Sequence, residues 1–416
     1  MWRATGPSLR RGRNGLRSRS ATRNSWPKGR ARPRCSGLRR NQRTVPGSRR
    51  SRNRTEPGCR RFSSCAGKFK LSSGSSRKRG SRLELDLRIP LIVLPTIAFA
   101  FLNGANDSGT MSASVVSSRS MTTRSAAVVA AAAAFLGSMF LGSAVARTFG
   151  QHLVRLDLLP AAASPFDACV AAVIAAVAWA TVAWRLGLPG SYTHALLGGW
   201  LGGFLALGGP EVIQWRNAVL VMLGVMLTPF IGLVTAGIAI RGLYRAAREV
   251  SSRMIHSFRT AEVLMFAALS LAHGANAAQK SMALLVVAGL SLQTGGVPQS
   301  FVLPLWVRGV CSAAFAFGVL FGFTRTLKKM GFDIFRVEPL HSFTALAVSW
   351  GLVLGSTLVG LPLSPGQINS SSLLGVGAGH NPRAVRWDTV GELLANWFLT
   401  FPAAAVLAWV LVKLKC

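Results

Sequence analysis

Leu102-Asn103-Gly104-Ala105-Asn106-Asp107 closes an uncharged run that starts at Ile89. It places an amide and a carboxylate where a membrane helix should still be apolar. An ionisable group at that depth is costly, which marks Asp107 as a functional residue. A second copy, Leu271-Ala272-His273-Gly274-Ala275-Asn276-Ala277, again closes an uncharged run. Two related sequences, each breaking an apolar segment, are the mark of a transporter built from two repeats.

Outward from these copies, residues 89–106, 125–146, 168–184, 186–210, 217–240, 263–279, 281–307, 309–324, 339–382 and 393–412 all lack Asp, Glu, Lys and Arg. About 20 apolar residues span the hydrocarbon as a helix, so the expected fold is an all-α polytopic membrane protein. Two runs are too polar to be simple spans. Residues 186–210 contain Pro189, Gly190, Ser191, Tyr192, Thr193 and His194; residues 339–382 contain Pro362, Ser364, Pro365, Gly366, Gln367, Asn369 and Ser370 to Ser372. Non-helical backbone is tolerated there only inside protein or along a wet cavity, so both are read as broken helices or re-entrant hairpins. Nearly the same distance separates Asn106 from His194 and Asn276 from Gln367. Leu188-Pro189-Gly190-Ser191 also parallels Leu361-Pro362-Leu363-Ser364. The division that follows is a first repeat over 83–240, a basic loop over 241–260 and a second repeat over 261–416. Arg241, Arg245, Arg248, Arg253 and Arg259 place that loop on the cytoplasmic side.

The formal net charge of +35 belongs mainly to residues 1–82, which hold 26 of the 48 Lys+Arg and, in Glu56, one of the 13 Asp+Glu. This stretch is rich in Arg, Ser, Gly and Pro and is expected to be disordered. Three readings of it stay open: an arm that binds nucleic acid or anionic lipid through charge, an organellar transit segment, or a segment not present in the mature protein. The six cysteines show neither metal-ligand spacing nor a disulfide framework.

The polar residues at the breaks suit two kinds of ligand. Hydroxyls and free N–H groups at the starts of broken helices, as at Ser191, Thr193 and Ser370, favour an anion. Asp107 and the amides of Asn106 and Asn276 offer oxygens to a hard cation. Gly198, Gly199, Gly202 and Gly203 are read as close helix packing. Lys280, beside the second copy, is assigned to the site rather than to snorkelling.

In these residues the chain resembles the PiT-type inorganic phosphate transporters. Asn103-Gly104-Ala105-Asn106-Asp107 with Arg119-Ser120-Met121 is similar to the family's first signature. The stretch from His273 to Met282 is similar to its bacterial second signature, Leu188 to His194 to its first hairpin, and Trp397 to Ala403 to its last helix. The resemblance implies two inverted repeats and a midplane phosphate site coupled to Na⁺ or H⁺, with no other cofactor. Carried onto this chain, the anion site would be Asn106, Asp107, Ser191, Thr193, Asn276, Gln279, Ser364 and Ser370, with Asp107, Asn106 and Asn276 serving the coupling ion. Thr110 stands where the family usually has Asn. Ala277 replaces the second repeat's Asp, and Pro365, Gly366 and Gln367 replace Thr-Thr-His.

The expected protein therefore carries inorganic phosphate with a cation across the plasma membrane, or an organelle envelope if the tail is a transit segment. Its partners are the anion and the lipid bilayer; a homo-oligomer stays open, and the core offers nothing to nucleic acid. One rival keeps the fold and moves sulfate or a related oxyanion. Another is a membrane-tethered protein that binds nucleic acid or lipid through its tail. No Ser/His/Asp, metal or nucleotide signature points to an enzyme.

Overall fold

The computed structural model describes residues 74–416 apart from 162, 186–189, 247–253, 295–300, 323–326, 329–330, 332–335 and 416. Residues 1–73, most of the basic tail, lie outside the described residues, as do Leu188 and Pro189 and the centre of the 241–260 loop. Residues Leu71–Cys416 form one compact unit.

Among the described residues eleven α-helices run α1 Gly74–Ser117, α2 Thr123–Phe140, α3 Ala144–Arg147, α4 Pro165–Arg185, α5 Tyr192–Gly208, α6 Trp215–Ala246, α7 Met254–Thr294, α8 Leu305–Phe321, α9 Pro339–Leu358, α10 Pro365–His380 and α11 Trp387–Lys415. Among the described residues the only extended pairing is a single bridge between Val154 and Ile213. α1 starts at Gly74, inside the segment assigned to the tail, because helix propensity carries through the Arg- and Leu-bearing stretch before the apolar run. α6 continues to Ala246 and α7 starts at Met254, so helix occupies much of the expected 241–260 loop.

Among the described residues six helices, over Leu87–Ser117, Thr123–Phe140, Pro165–Ala183, Trp215–Ala246, Phe258–Leu292 and Val390–Lys415, are long and apolar enough to cross a membrane. α6 shows how they are made. Val219, Leu220, Leu223, Leu227, Phe230, Ile231, Val234 and Ile238 recur at helical spacing and are exposed. The opposite face buries Ala218, Val221, Val225, Thr228, Gly232 and Ala236. An apolar exposed stripe with small residues turned inward is the pattern of a lipid-facing helix.

The uncharged run 339–382 is not one span. It splits into α9 and α10 around Gly360, whose φ of +74° a side chain would strain. Leu361 N donates to Ser356 O at 2.8 Å to close the end of α9, and Ser364 then caps α10. In the first half the corresponding break falls between α4 and α5, with Ser191 as the cap.

The two halves use the same local devices. A 3₁₀ turn starting at Pro210 precedes α6 and one starting at Pro382 precedes α11. The indole of Trp215 donates to Pro210 O at 3.0 Å, and that of Trp387 donates to Pro382 O at 3.1 Å. Pro229 and Pro402 sit inside the helices that follow. The packing also exchanges between halves: α1 lies against α8 and α7 against α2, while α5 lies against α11 and α10 against α6. Glycine makes these approaches close. A methyl added at Gly104 would meet the carbonyl of Phe315, and one added at Gly274 would meet that of Ala134. Gly198 and Gly202 approach Phe401 and Ala405 in the same manner, and Gly199 and Gly203 approach Ala172 and Ala168. Backbones this near bring α1, α7 and both hairpin helices to one place.

Candidate functional site

Each Gly-Ala-Asn copy lies within a long helix, and each amide reaches the break of its own half. Asn106 Nδ2 donates to Gly190 O at 3.2 Å, just ahead of the Ser191 cap. Asn276 Nδ2 donates to Leu361 O at 3.2 Å and to Thr357 Oγ1 at 3.1 Å. These bonds hold non-helical backbone at membrane depth, where an unmet carbonyl costs several kcal/mol.

The two breaks then meet each other. Ser191 Oγ donates to Ser364 Oγ at 3.1 Å, so the N-caps of α5 and α10 touch. Thr193 Oγ1 donates to Leu363 O at 3.2 Å. Ser191 also accepts from His194 N at 3.3 Å, whereas the Ser364 side chain makes no cap bond. Two helix N-termini thus converge, each with a positive dipole end and first-turn N–H groups without intrahelical partners.

Around this contact lie the charges. Asp107, 7% exposed, accepts from His273 Nε2 at 2.9 Å on Oδ2 and from Asn106 Nδ2 at 3.3 Å on Oδ1. Lys280, 1% exposed, directs Nζ to Thr193 Oγ1 and Leu363 O, both at 2.7 Å. Charge-assisted bonds of this kind contribute about 1.5–3 kcal/mol each and offset part of the cost of burying an ammonium.

The junction brings together Asn106, Asp107, Ser191, Thr193, Asn276 and Ser364, and Lys280 joins them. Two residues assigned by resemblance are occupied elsewhere. Gln279 Oε1 accepts from Val145 N at 3.0 Å and Ala146 N at 3.3 Å, and its Nε2 donates to Leu141 O at 3.1 Å. It holds the chain reversal between α2 and α3. Ser370 Oγ donates to Gly366 O at 2.7 Å, one turn back along α10. Thr110, four residues after Asn106, donates to Asp107 O at 2.8 Å.

Gly366 has a steric reason. A Cβ built there would stand 3.0 Å from Asp107 Oδ1 and 3.4 Å from Thr110 Oγ1. A threonine's branched side chain does not fit with Asp107 where it is. His273 joins the site as the partner of Asp107; the signal for it was an imidazole three residues before Asn276. Glu262 was not foreseen. It is buried, on α7, and accepts from Ser118 Oγ at 2.6 Å and Ser120 Oγ at 2.5 Å. Arg119 between those serines has φ +63°.

A family model described as "Phosphate transporter family" matches residues 103–252 and 239–408. The chain is 32% identical over 330 residues to a "Probable low-affinity inorganic phosphate transporter" of Rhizobium meliloti (strain 1021), spanning 78% of this chain and 97% of that one. It is 29% identical over 319 residues to a protein of the same description from Bacillus subtilis (strain 168), spanning 76% and 94%. A solved structure described as "The sodium-dependent phosphate transporter" shares the fold with a TM-score of 0.73 at 20% identity, covering 79% of this chain and 99% of that one. With both copies of the motif inside the matched residues and the helical membrane fold in common, the chain belongs to the phosphate transporter family.

Proposed function

We propose that this protein imports inorganic phosphate across the plasma membrane together with a coupling cation, Na⁺ or H⁺, through two inverted repeats that move around the junction. The observation that carries the reading is the tip-to-tip contact of Ser191 and Ser364, with Asp107 on one side and Lys280 on the other. Converging helix N-termini and an ammonium suit an oxyanion. A carboxylate flanked by amides suits a hard cation. All these groups are buried. For an ion to enter, the hairpin tips must part on one side, which is the alternating motion of paired repeats. The names of the relatives support phosphate as the anion, and the name of the solved structure supports a cation partner.

The test is radiolabelled phosphate uptake by the full chain in a host lacking its own phosphate carriers. It is run with and without a Na⁺ or proton gradient, with Asp107→Asn and with excess sulfate. Gradient-dependent uptake that is lost in Asp107→Asn and indifferent to sulfate is the expected result. Uptake displaced by sulfate would make the cargo another oxyanion, and absence of uptake by an inserted protein would sink the reading.

A further inference from the structure

Among the described residues Lys280 is the only buried lysine or arginine, and its surroundings occur twice in the molecule. Lys280 stands four positions after Asn276, as Thr110 stands four after Asn106. Thr193 stands two positions after the Ser191 cap, as Gly366 stands two after the Ser364 cap. In the first cleft Thr110 and Asp107 face Gly366. In the second, Lys280 faces Thr193. Asn106 and Asn276 fix the two clefts in the same way, each through a carbonyl of its own hairpin, and Ser191 and Ser364 meet between them. The molecule thus builds one cleft twice and charges the copies differently. The first carries a carboxylate and no ammonium. The second carries Ala277 where the first has Asp107, and Lys280 fills it.

The atoms that hold Lys280 are a hydroxyl and a backbone carbonyl, both neutral and both 2.7 Å from Nζ. Oxygens of these two kinds also bind hard cations. A mobile cation entering beside the ammonium would meet a like charge at contact distance, and with Ala277 in place of an aspartate the second cleft has no carboxylate of its own to offset it, which lowers occupancy. In the first cleft Asp107 favours such a cation by the same physics.

We infer that Lys280 is a tethered cation seated in the second of two equivalent sites, so that one mobile cation, bound at Asp107, moves with each anion. This rests on the transport reading above and adds the stoichiometry to it. The ammonium stays with the protein through the cycle and occupies the second cleft, while the place beside Asp107 is filled only when the coupling ion is aboard.

The full chain is reconstituted in liposomes held at zero membrane potential, with a tenfold inward gradient of Na⁺ or of H⁺ in separate arms. Phosphate accumulation is expressed for the monovalent anion. At equilibrium it reaches about tenfold when one cation moves with each anion and about a hundredfold when two move. In the arm whose ion couples, the expected value is tenfold, and any other ratio overturns the inference. Ala277→Asp with Lys280→Thr gives the second cleft the residues of the first, and is expected to raise accumulation to about a hundredfold. A functional double variant that stays at tenfold also overturns the inference. If that variant does not insert, the wild-type ratio decides. Absence of phosphate flux under either gradient is a different failure: it removes the transport reading itself.

Discussion

Gln279 and Lys280 are neighbours in sequence and serve different parts of the molecule. Successive helical residues point about 100° apart, so Gln279 meets the Leu141–Ala146 reversal while Lys280 meets the hairpins. The resemblance places Gln279 in the anion site, and its hydrogen bonds in this structure go to the reversal instead, a direction that adjacency in a motif does not carry. Gln279→Leu is expected to lower thermal stability in detergent by about 1–3 kcal/mol, since two backbone N–H groups lose their acceptor. Its KM for phosphate should stay at the wild-type value; a large rise in KM with unchanged stability would return Gln279 to the site. Asp107 was legible because no structural role makes a lone carboxylate inexpensive at that depth. Its partner was less so, because an interior imidazole serves as a hydrogen bonder almost anywhere. His273→Ala leaves Asp107 Oδ2 without its donor, and we expect uptake to fall at least about tenfold, the effect of about 1.4 kcal/mol on one bound state. His273→Gln, which keeps a donor, should recover much of it.

Hairpins are where the sequence spoke most clearly and stopped soonest. Pro, Gly and Ser clusters inside uncharged runs located both breaks. They did not show that the two breaks would touch, because that contact depends on how α5 and α10 lie against α11 and α6. The polar residues of 339–382 mark a break but not its place at Gly360, because hydropathy does not register a left-handed residue. The Ser191 and Ser364 oxygens are 3.1 Å apart, and sulfurs in their place would have to approach by about 1 Å to bond. Ser191→Cys with Ser364→Cys should cross-link under mild oxidation and arrest uptake, and a thiol reductant should restore it. Cross-linked protein that still transports would show that the tips need not part.

Over the whole molecule, hydropathy sufficed for the class of fold, and the repeated motif suggested two related halves. The order of packing was not legible, since it is carried by single glycines whose neighbours lie far away in sequence. Gly104 against α8 and Gly274 against α2 are the clearest cases. Gly274→Leu must push the α7 backbone away from Ala134, and overpacking of this kind costs about 1–3 kcal/mol. We expect less folded protein after detergent extraction, visible as loss of the monodisperse peak in size-exclusion chromatography. Residues 1–70 lie ahead of all the matched residues, so a chain of residues 71–416 is expected to keep phosphate uptake at the full-length level. Loss of uptake by well-inserted truncated protein would give the basic tail a part in transport.

Gly366 also bears on how such a sequence can change over time. A threonine placed at that position alone would bring its Cβ to 3.0 Å from Asp107 Oδ1, so the carboxylate must give by a few tenths of an ångström before the hydroxyl of the family pattern can be held. A change at position 366 is felt at Asp107 on the facing helix, and the effects of changing both are expected not to add. The two halves are therefore not free to drift independently, because the carboxylate of the first and the hairpin of the second share one cleft.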